Sequence, residues 1–317
     1  MKIVVPGETR EGFFEELREE FPEAGLVLAT TEEEQKAEIV DADAYLSWPS
    51  RDVFLAAKKL RWVHVHSTGV ESLALRTPEL IESDVVFTNT RGPHDNPIAD
   101  HALAMMLFLG HKMGPLWDDK KARRWDGKPY FEKFVEMNGS VLGILGLGGI
   151  GSAVARRGNG FGMKVYAIDK FPKPIPEVQE VWTPDRIDEL LPLCDWFVVT
   201  SPLTSETRGF IDRRRVGLLK HGAFVIVVSR GNIVDEEALA ESLRDGRLRG
   251  AGIDAFAKEP LPQDSPLWGL DNVMISPHNA GVTPENWEAR RQVLRENLRR
   301  FLNGEPFLYV VDKKAGF

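Results

Sequence analysis

A chain of 317 residues, 43% of them hydrophobic, has the apolar content to fill about two domain cores. Its net charge of −8 argues against nucleic acid or an anionic membrane as partner, because both reward an excess of Lys and Arg. The single cysteine, Cys194, excludes an internal disulfide, and its place in the apolar run 190–199 makes it a buried thiol.

The N-terminus, Met1-Lys2-Ile3-Val4-Val5-Pro6-Gly7, reads as a short strand and turn without the apolar stretch of a secretion signal, so a cytoplasmic location is expected. Strand-like runs at 2–5, 26–29, 44–46, 62–65 and 85–87 alternate with helical candidates such as 11–20 and 52–59. That alternation belongs to a parallel sheet covered on both faces. The most apolar helix, 102–109 within 97–113, is too short to cross a bilayer and reads as a core helix. An aromatic stretch follows at 117–134, with Trp117, Trp125, Tyr130, Phe131 and Phe134.

A second set of strands is predicted at 141–145, 165–168, 196–200, 223–228, 250–254 and 273–276, the number of a complete dinucleotide fold. Phe171-Pro172-Lys173-Pro174-Ile175-Pro176 is a stiff exposed loop. Thr283 is an N-cap, Pro284 the first residue of a last amphipathic helix, and Gly304 its stop. The first unit has few long helices of its own, so this one is expected to return to it. The expected domains are 1–97 with 285–317, and 98–284, with crossings near Asn96-Pro97 and 281–284 that act as a hinge.

The strongest local signal is the predicted strand 141–145 running into Gly146-Leu147-Gly148-Gly149-Ile150-Gly151. In this G-x-G-x-x-G, Gly146 permits the tight turn, Gly148 lets the backbone approach a pyrophosphate, and Gly151 allows close helix-to-strand packing, which places the anion on the helix N-terminus. Asp169 ends the next strand, placed for a ribose 2′-hydroxyl and repelling a 2′-phosphate, so NAD is favoured over NADP; Lys170 would soften that repulsion.

Three later segments bear one ionisable side chain each at a predicted strand end: Arg230 in Val227-Val228-Ser229-Arg230-Gly231, Glu259 in Asp254-Ala255-Phe256-Ala257-Lys258-Glu259-Pro260, and His278 in Ser276-Pro277-His278-Asn279-Ala280-Gly281. Singly they are ordinary turn residues. At successive strand ends of a cofactor domain they make a cation for a carboxylate, a carboxylate partner and a general acid. Hydride arriving at a ketone carbon puts negative charge on oxygen, and a protonated imidazole is a suitable donor to it.

The order and spacing of these segments resemble the D-isomer-specific 2-hydroxyacid dehydrogenases, a family that includes glyoxylate and hydroxypyruvate reductases and phosphoglycerate dehydrogenase. The likeness takes in Ser67-Thr68-Gly69-Val70-Glu71-Ser72-Leu73, Asn89-Thr90-Arg91-Gly92, Ile98-Ala99-Asp100-His101-Ala102, the glycine motif, and Ser201-Pro202-Leu203-Thr204-Ser205-Glu206-Thr207 as well as the three segments above. The fold class is then α/β, with a flavodoxin-like substrate domain and a Rossmann dinucleotide-binding domain, both doubly wound parallel sheets, and a cleft between them.

The resemblance implies that Arg230 holds the substrate carboxylate and keto oxygen, that His278 protonates the developing alkoxide, and that Glu259 hydrogen-bonds His278 and favours its charged form. It implies a carboxylate cradle of backbone N–H groups at Thr68, Gly69 and Val70. The implied cofactor set is Gly146, Gly148, Gly149, Ile150, Gly151, Asp169, Thr200, Pro202, Thr207, Val228, Ser229, Asp254, His278 and Gly281. Two positions depart from the family pattern: Val227 stands where Asn is common, and Asp100 where Glu is.

Of the other histidines, His94 is the candidate to approach substrate, and His101 is expected to pair with Asp100 or the backbone. No metal-binding motif is present. Glu259 where formate dehydrogenases have glutamine, and no lysine in the cradle where phosphite dehydrogenases have one, disfavour both of those activities. The reading is an NAD(H)-dependent 2-oxoacid reductase. An NAD(H)-sensing interaction protein like the dehydrogenase-related corepressors, or a short phosphoglycerate dehydrogenase, stands as the alternative. Similar enzymes dimerise through an arm matching 117–134, so a homodimer is expected. Ser47, Trp48, His66, Arg91 and Trp287 are candidates for the side-chain pocket, with Arg91 suited to a phosphate or second carboxylate.

Overall fold

The structure, a computed structural model, describes residues 1–7, 10–70 and 73–314. Glu71 and Ser72 of the cradle motif lie outside the described residues. The chain forms two compact units, Met1–Pro93 with Thr283–Phe317, and His94–Val282.

The first unit holds a parallel sheet of β1 (Lys2–Val5), β2 (Gly25–Leu28), β3 (Ala44–Tyr45), β4 (Trp62–His64) and β5 (Val86–Thr88), in the order β2-β1-β3-β4-β5. This is the flavodoxin-like order. Successive side chains of a strand face opposite ways, so β1 feeds two cores: Val4 packs with Val63 and Phe87, while Ile3 and Val5 pack with Trp62, Phe13 and Leu17. Burial on both faces explains why the strand reads as an unbroken apolar run.

The helix Pro284–Asn303 covers the second of these faces with Leu294, Leu298 and Phe301 at helical spacing. Its start and stop follow the sequence reading. Thr283 Oγ1 accepts the Asn286 N–H at 3.1 Å, Pro284 is the first helical residue, and Gly304 takes the left-handed conformation at φ 70°.

The second unit holds a parallel sheet of β6 (Val141–Leu145), β7 (Lys164–Ile168), β8 (Glu180–Trp182), β9 (Trp196–Val199), β10 (Phe224–Val227), β11 (Gly250–Ile253) and β12 (Val273–Ile275), ordered β12-β11-β10-β9-β6-β7-β8. It has seven strands where six are expected. The addition, β8, is three residues at the sheet edge with a register of Ala167 opposite Val181, too short to carry a periodic signal. The order reverses between β6 and β9, the switch point at which such sheets bind ligands beyond their strand ends.

The helix Asp95–Gly110 buries Ala99, Ala102, Met105, Met106 and Leu109 against Leu142, Ile144 and Trp196. It stops short of the expected residue 113, and a separate helix runs from Met113 to Lys121. Lys112 between them adopts φ 52°, which breaks the helical run. Cys194 is buried, its thiol donates to the Leu190 carbonyl at 3.3 Å, and burial pushes its pKa up, away from reactivity. No described helix is long and apolar enough to cross a membrane.

Candidate active site

The glycine turn after β6 is built by close approach. Gly146 has φ 93°, and a Cβ on it would fall 2.7 Å from Ser201 Cα. A Cβ on Gly151 would fall 2.0 Å from the Gly146 carbonyl oxygen, so the helix Gly149–Gly160 can sit against the strand end only with glycine there. Gly148 differs, since a Cβ on it meets nothing within 4 Å. The open space beside Gly148, at a helix start without a side-chain cap, fits the expectation of an anion held there. Thr200 ties this turn to β9 through Oγ1, which donates to the Gly146 carbonyl at 2.6 Å.

Asp169 stands at the end of β7 with its carboxylate accepting the Leu147 N–H at 2.7 Å and the Phe171 N–H at 2.8 Å. Lys170 beside it is engaged by Glu206, at 2.7 and 2.8 Å. Thr207 Oγ1 donates to the Pro202 carbonyl at 2.6 Å and so closes the loop after β9. Val228 is buried, and so is Ser229, whose Oγ has no hydrogen-bond partner among the described residues. These residues fit a dinucleotide, with glycine space for phosphate and a carboxylate at the second strand end.

The loops after β10, β11 and β12 carry the three ionisable residues. His278 Nδ1 lies 2.8 and 3.0 Å from the two Glu259 oxygens, a direct carboxylate–imidazole pair. Glu259 Oε1 also accepts the Phe256 N–H at 2.9 Å, which fixes the carboxylate to its own loop. His278 is exposed and holds φ 51°, a left-handed conformation secured by its N–H donating to the Asp254 carbonyl at 2.9 Å. Arg230 is half-buried, with one guanidinium N–H donating to the Ser229 carbonyl at 2.6 Å.

Asp254, assigned from sequence to the cofactor, is buried with its carboxylate occupied by protein. It accepts from Ser276 Oγ at 2.6 Å, Asn279 N–H at 3.0 Å and Ala280 N–H at 3.1 Å, and so shapes the loop that carries His278. His101 Nε2 is 2.9 Å from that Ser276 hydroxyl, whereas Asp100 pairs with Arg157 at 2.7 Å. The expected His101–Asp100 pairing is therefore corrected, because adjacent helical residues point apart while the end of β12 approaches His101. Val227 packs in the apolar core, and its carbonyl accepts the Asp254 N–H at 2.9 Å, so β10 is braced by main-chain bonds and packing. His94 is buried at the start of the helix Asp95–Gly110, and a Cβ on Gly281 would fall 3.2 Å from its ring.

In the first unit the segment Thr68-Gly69-Val70 follows β4, tied down by its carbonyls. Asn89 Nδ2 donates to the Thr68 carbonyl at 2.7 Å, Ser67 Oγ to the Gly69 carbonyl at 3.0 Å, and Thr90 Oγ1 to the His66 carbonyl at 2.6 Å. Val70 is buried and anchors the loop. His64 and His66 beneath it are held neutral: burial pushes His64 well below its ordinary value, and burial with Arg290 and Arg291 nearby lowers His66 to about 4. The anchors Asn89 and Thr90 lie more than twenty residues from their partners in sequence, which hides their role until the chain is folded. The candidate pocket residues lie in this unit. Trp48 Nε1 donates to Ser67 Oγ at 3.2 Å, Arg91 donates to the Val310 carbonyl at 3.2 Å, and the Arg290 guanidinium lies 4.4 Å over the Trp287 ring.

Residues 103–280 match the family model "D-isomer specific 2-hydroxyacid dehydrogenase, NAD binding domain". The D-3-phosphoglycerate dehydrogenase of Methanocaldococcus jannaschii is 32% identical over 310 residues, which span 96% of this chain and 58% of that longer relative. The glyoxylate reductase of Korarchaeum cryptofilum is 32% identical over 275 residues, 84% of this chain and 82% of that one. A D-isomer specific 2-hydroxyacid dehydrogenase from Xanthobacter autotrophicus Py2, solved with NADPH and MES, superposes with a TM-score of 0.82 at 28% identity, covering 100% of this chain and 99% of its own. With a glycine turn built for a dinucleotide in the matched domain, the chain belongs to the D-isomer specific 2-hydroxyacid dehydrogenase family of NAD(P)-dependent oxidoreductases.

Proposed function

We propose that this protein interconverts a small 2-oxoacid and its D-2-hydroxyacid, with NAD(H) preferred and His278 as general acid and base. The observation that carries the reading is the Glu259–His278 pair. With Nδ1 held by a carboxylate, the proton on that nitrogen is fixed and Nε2 is the nitrogen that exchanges a proton with the substrate oxygen. A bound reduced nicotinamide supplies the hydride. Arg230 holds the substrate carboxylate and polarises the keto oxygen, and Glu259 offsets the charge His278 carries. Asp254 keeps the His278 loop in shape through its three hydrogen bonds.

NAD is the preferred cofactor in this proposal because Asp169 stands at the ribose end and Lys170, the cation that would offset a 2′-phosphate, is turned to Glu206. The glyoxylate reductase relatives support a small substrate such as glyoxylate, hydroxypyruvate or pyruvate. Assembly as a homodimer is supported by the stretch after the helix Met113–Lys121, where Trp125, Phe131 and Phe134 are exposed around a groove of about 910 Å³ that Leu116 and Tyr130 also line. Apolar rings of this size left in water are characteristic of an interface. Light scattering at micromolar concentration is expected to give the mass of two chains; a stable monomer would remove the dimer.

Initial rates of NADH and NADPH oxidation over a panel of 2-oxoacids test the function. Turnover that prefers NADH supports it. NADH binding without turnover of any 2-oxoacid would leave the NAD(H)-sensing reading in its place.

A further inference from the structure

A short stretch of backbone, Phe256-Ala257, joins the Arg230 loop to the Glu259 loop through three successive peptide groups. The Phe256 N–H donates to Glu259 Oε1 at 2.9 Å and the Ala257 N–H to Glu236 Oε1 at 2.5 Å. The Ala257 carbonyl accepts Asn232 Nδ2 at 3.2 Å. A Cβ on Gly231 would fall 1.9 Å from the Phe256 carbonyl carbon and 2.2 Å from the Ala257 nitrogen, so the residue after Arg230 lies against the Phe256–Ala257 peptide. Glu236 opens the helix Glu236–Arg244, whose cap is Asp235, accepting the Ala238 N–H at 2.9 Å. Its carboxyl is half-buried, and burial together with Glu259 nearby raises its pKa while the Ala257 amide opposes the rise. A glutamate at the first turn of a helix needs no such placement for the helix's sake, because Asp235 already supplies the cap.

We propose that Glu236 is a positioning residue for the reaction above. It pins the Phe256–Ala257 peptide, against which the Gly231 turn beside Arg230 rests, and through the adjoining Ala255–Phe256 amide it sets the Glu259 carboxylate against His278. This rests on the assignment of Arg230, Glu259 and His278 made under the proposed function. Without an acceptor for the Ala257 N–H the peptide can rotate. Glu259, which holds the adjoining N–H, then moves with it. A displacement of about 1 Å in a reacting group costs on the order of 10²-fold in rate.

The test compares four variants of the full chain: Glu236→Ala, Glu236→Asp, Glu236→Gln and Asp235→Ala. Glu236→Gln keeps an acceptor oxygen at the same reach and is expected to hold kcat/KM within about 5-fold, whereas Glu236→Ala loses roughly 10- to 100-fold and Glu236→Asp, one methylene short, falls between. Asp235→Ala removes the cap of the same helix, so it lowers Tm but leaves kcat/KM near the unsubstituted value. A proton NMR spectrum of each variant reads the Glu259–His278 bond without turnover. The low-field imidazole N–H resonance that is absent in His278→Ala should persist in Glu236→Gln and vanish in Glu236→Ala. Should Glu236→Ala not fold, the Asp and Gln variants carry the comparison.

Wild-type kcat/KM in Glu236→Ala overturns the proposal. So does a Gln variant as impaired as the Ala variant, or an Asp235→Ala loss as large as that of Glu236→Ala. Full turnover in His278→Ala would instead overturn the assignment of the general acid, and the NMR comparison would still decide whether Glu236 sets the position of Glu259.

Discussion

The loop after β4 in the first unit and the loops after β11 and β12 in the second are both held by side chains, but by different kinds. Asn89, Ser67 and Thr90 hold the first through its carbonyls, over histidines kept neutral by burial. Asp254, Glu259 and Glu236 hold the second through its N–H groups. Neutral donors on carbonyls leave N–H groups to receive an anion and add no negative charge to repel it. Carboxylates on N–H groups form charge-assisted bonds, which hold an exposed histidine firmly enough to present it. In the proposed function the first arrangement serves binding and the second serves proton transfer.

The largest expected effect comes from the glycine turn. Gly151→Ala puts a methyl 2.0 Å from the Gly146 carbonyl oxygen, so the second unit should lose on the order of 1–3 kcal/mol and NADH binding should be abolished. Gly148→Ala meets nothing within 4 Å and should keep its Tm while weakening NADH binding, since the methyl fills the space a pyrophosphate takes. Thermal melts with NADH fluorescence titrations check both. Equal Tm losses would contradict the distinction between packing glycine and cradle glycine.

Acid should separate the two units next. In the first unit the folded-state pKa values of His64 and His66 are lowered, His66 to about 4, so on acidification the unfolded chain takes up protons near its ordinary value while the folded chain does not. Stability of that unit is therefore full above the ordinary histidine range and falls as pH drops through it, flattening once His66 protonates in the folded state near pH 4. Hydrogen exchange in urea, read on peptides from β4 and from β9, should show the first losing protection between pH 7 and pH 5 faster than the second. Parallel losses would remove the histidines as the cause. The smallest effect is Thr283→Ala, which takes the cap from the helix Pro284–Asn303 and should cost about 1 kcal/mol in a urea melt of the first unit.

What the sequence disclosed follows the reach of each interaction. The helix bounded by Thr283 and Gly304, and the glycine turn from Gly146 to Gly151, are written in neighbouring residues and were legible. The Glu259–His278 pair was legible only through the order of segments that resemble a family, since nineteen residues separate its members. The edge strand β8 escaped because three residues have no period. The partner of His101, Ser276 rather than the expected Asp100 or backbone, lies 175 residues away, and only the sheet brings it near. Glu236 gave the least signal. Its carboxylate acts on a peptide 21 residues on, and nothing local to residue 236 points to that contact.

The most direct test of the account is kcat/KM for the best 2-oxoacid with NADH, measured on the protein and on His278→Ala, with the NADH dissociation constant taken separately. A fall of about 10²-fold or more with NADH affinity unchanged is the expected result, because it removes the proton donor and leaves the dinucleotide cradle intact. His278→Ala turning over at the unsubstituted rate would contradict the central claim.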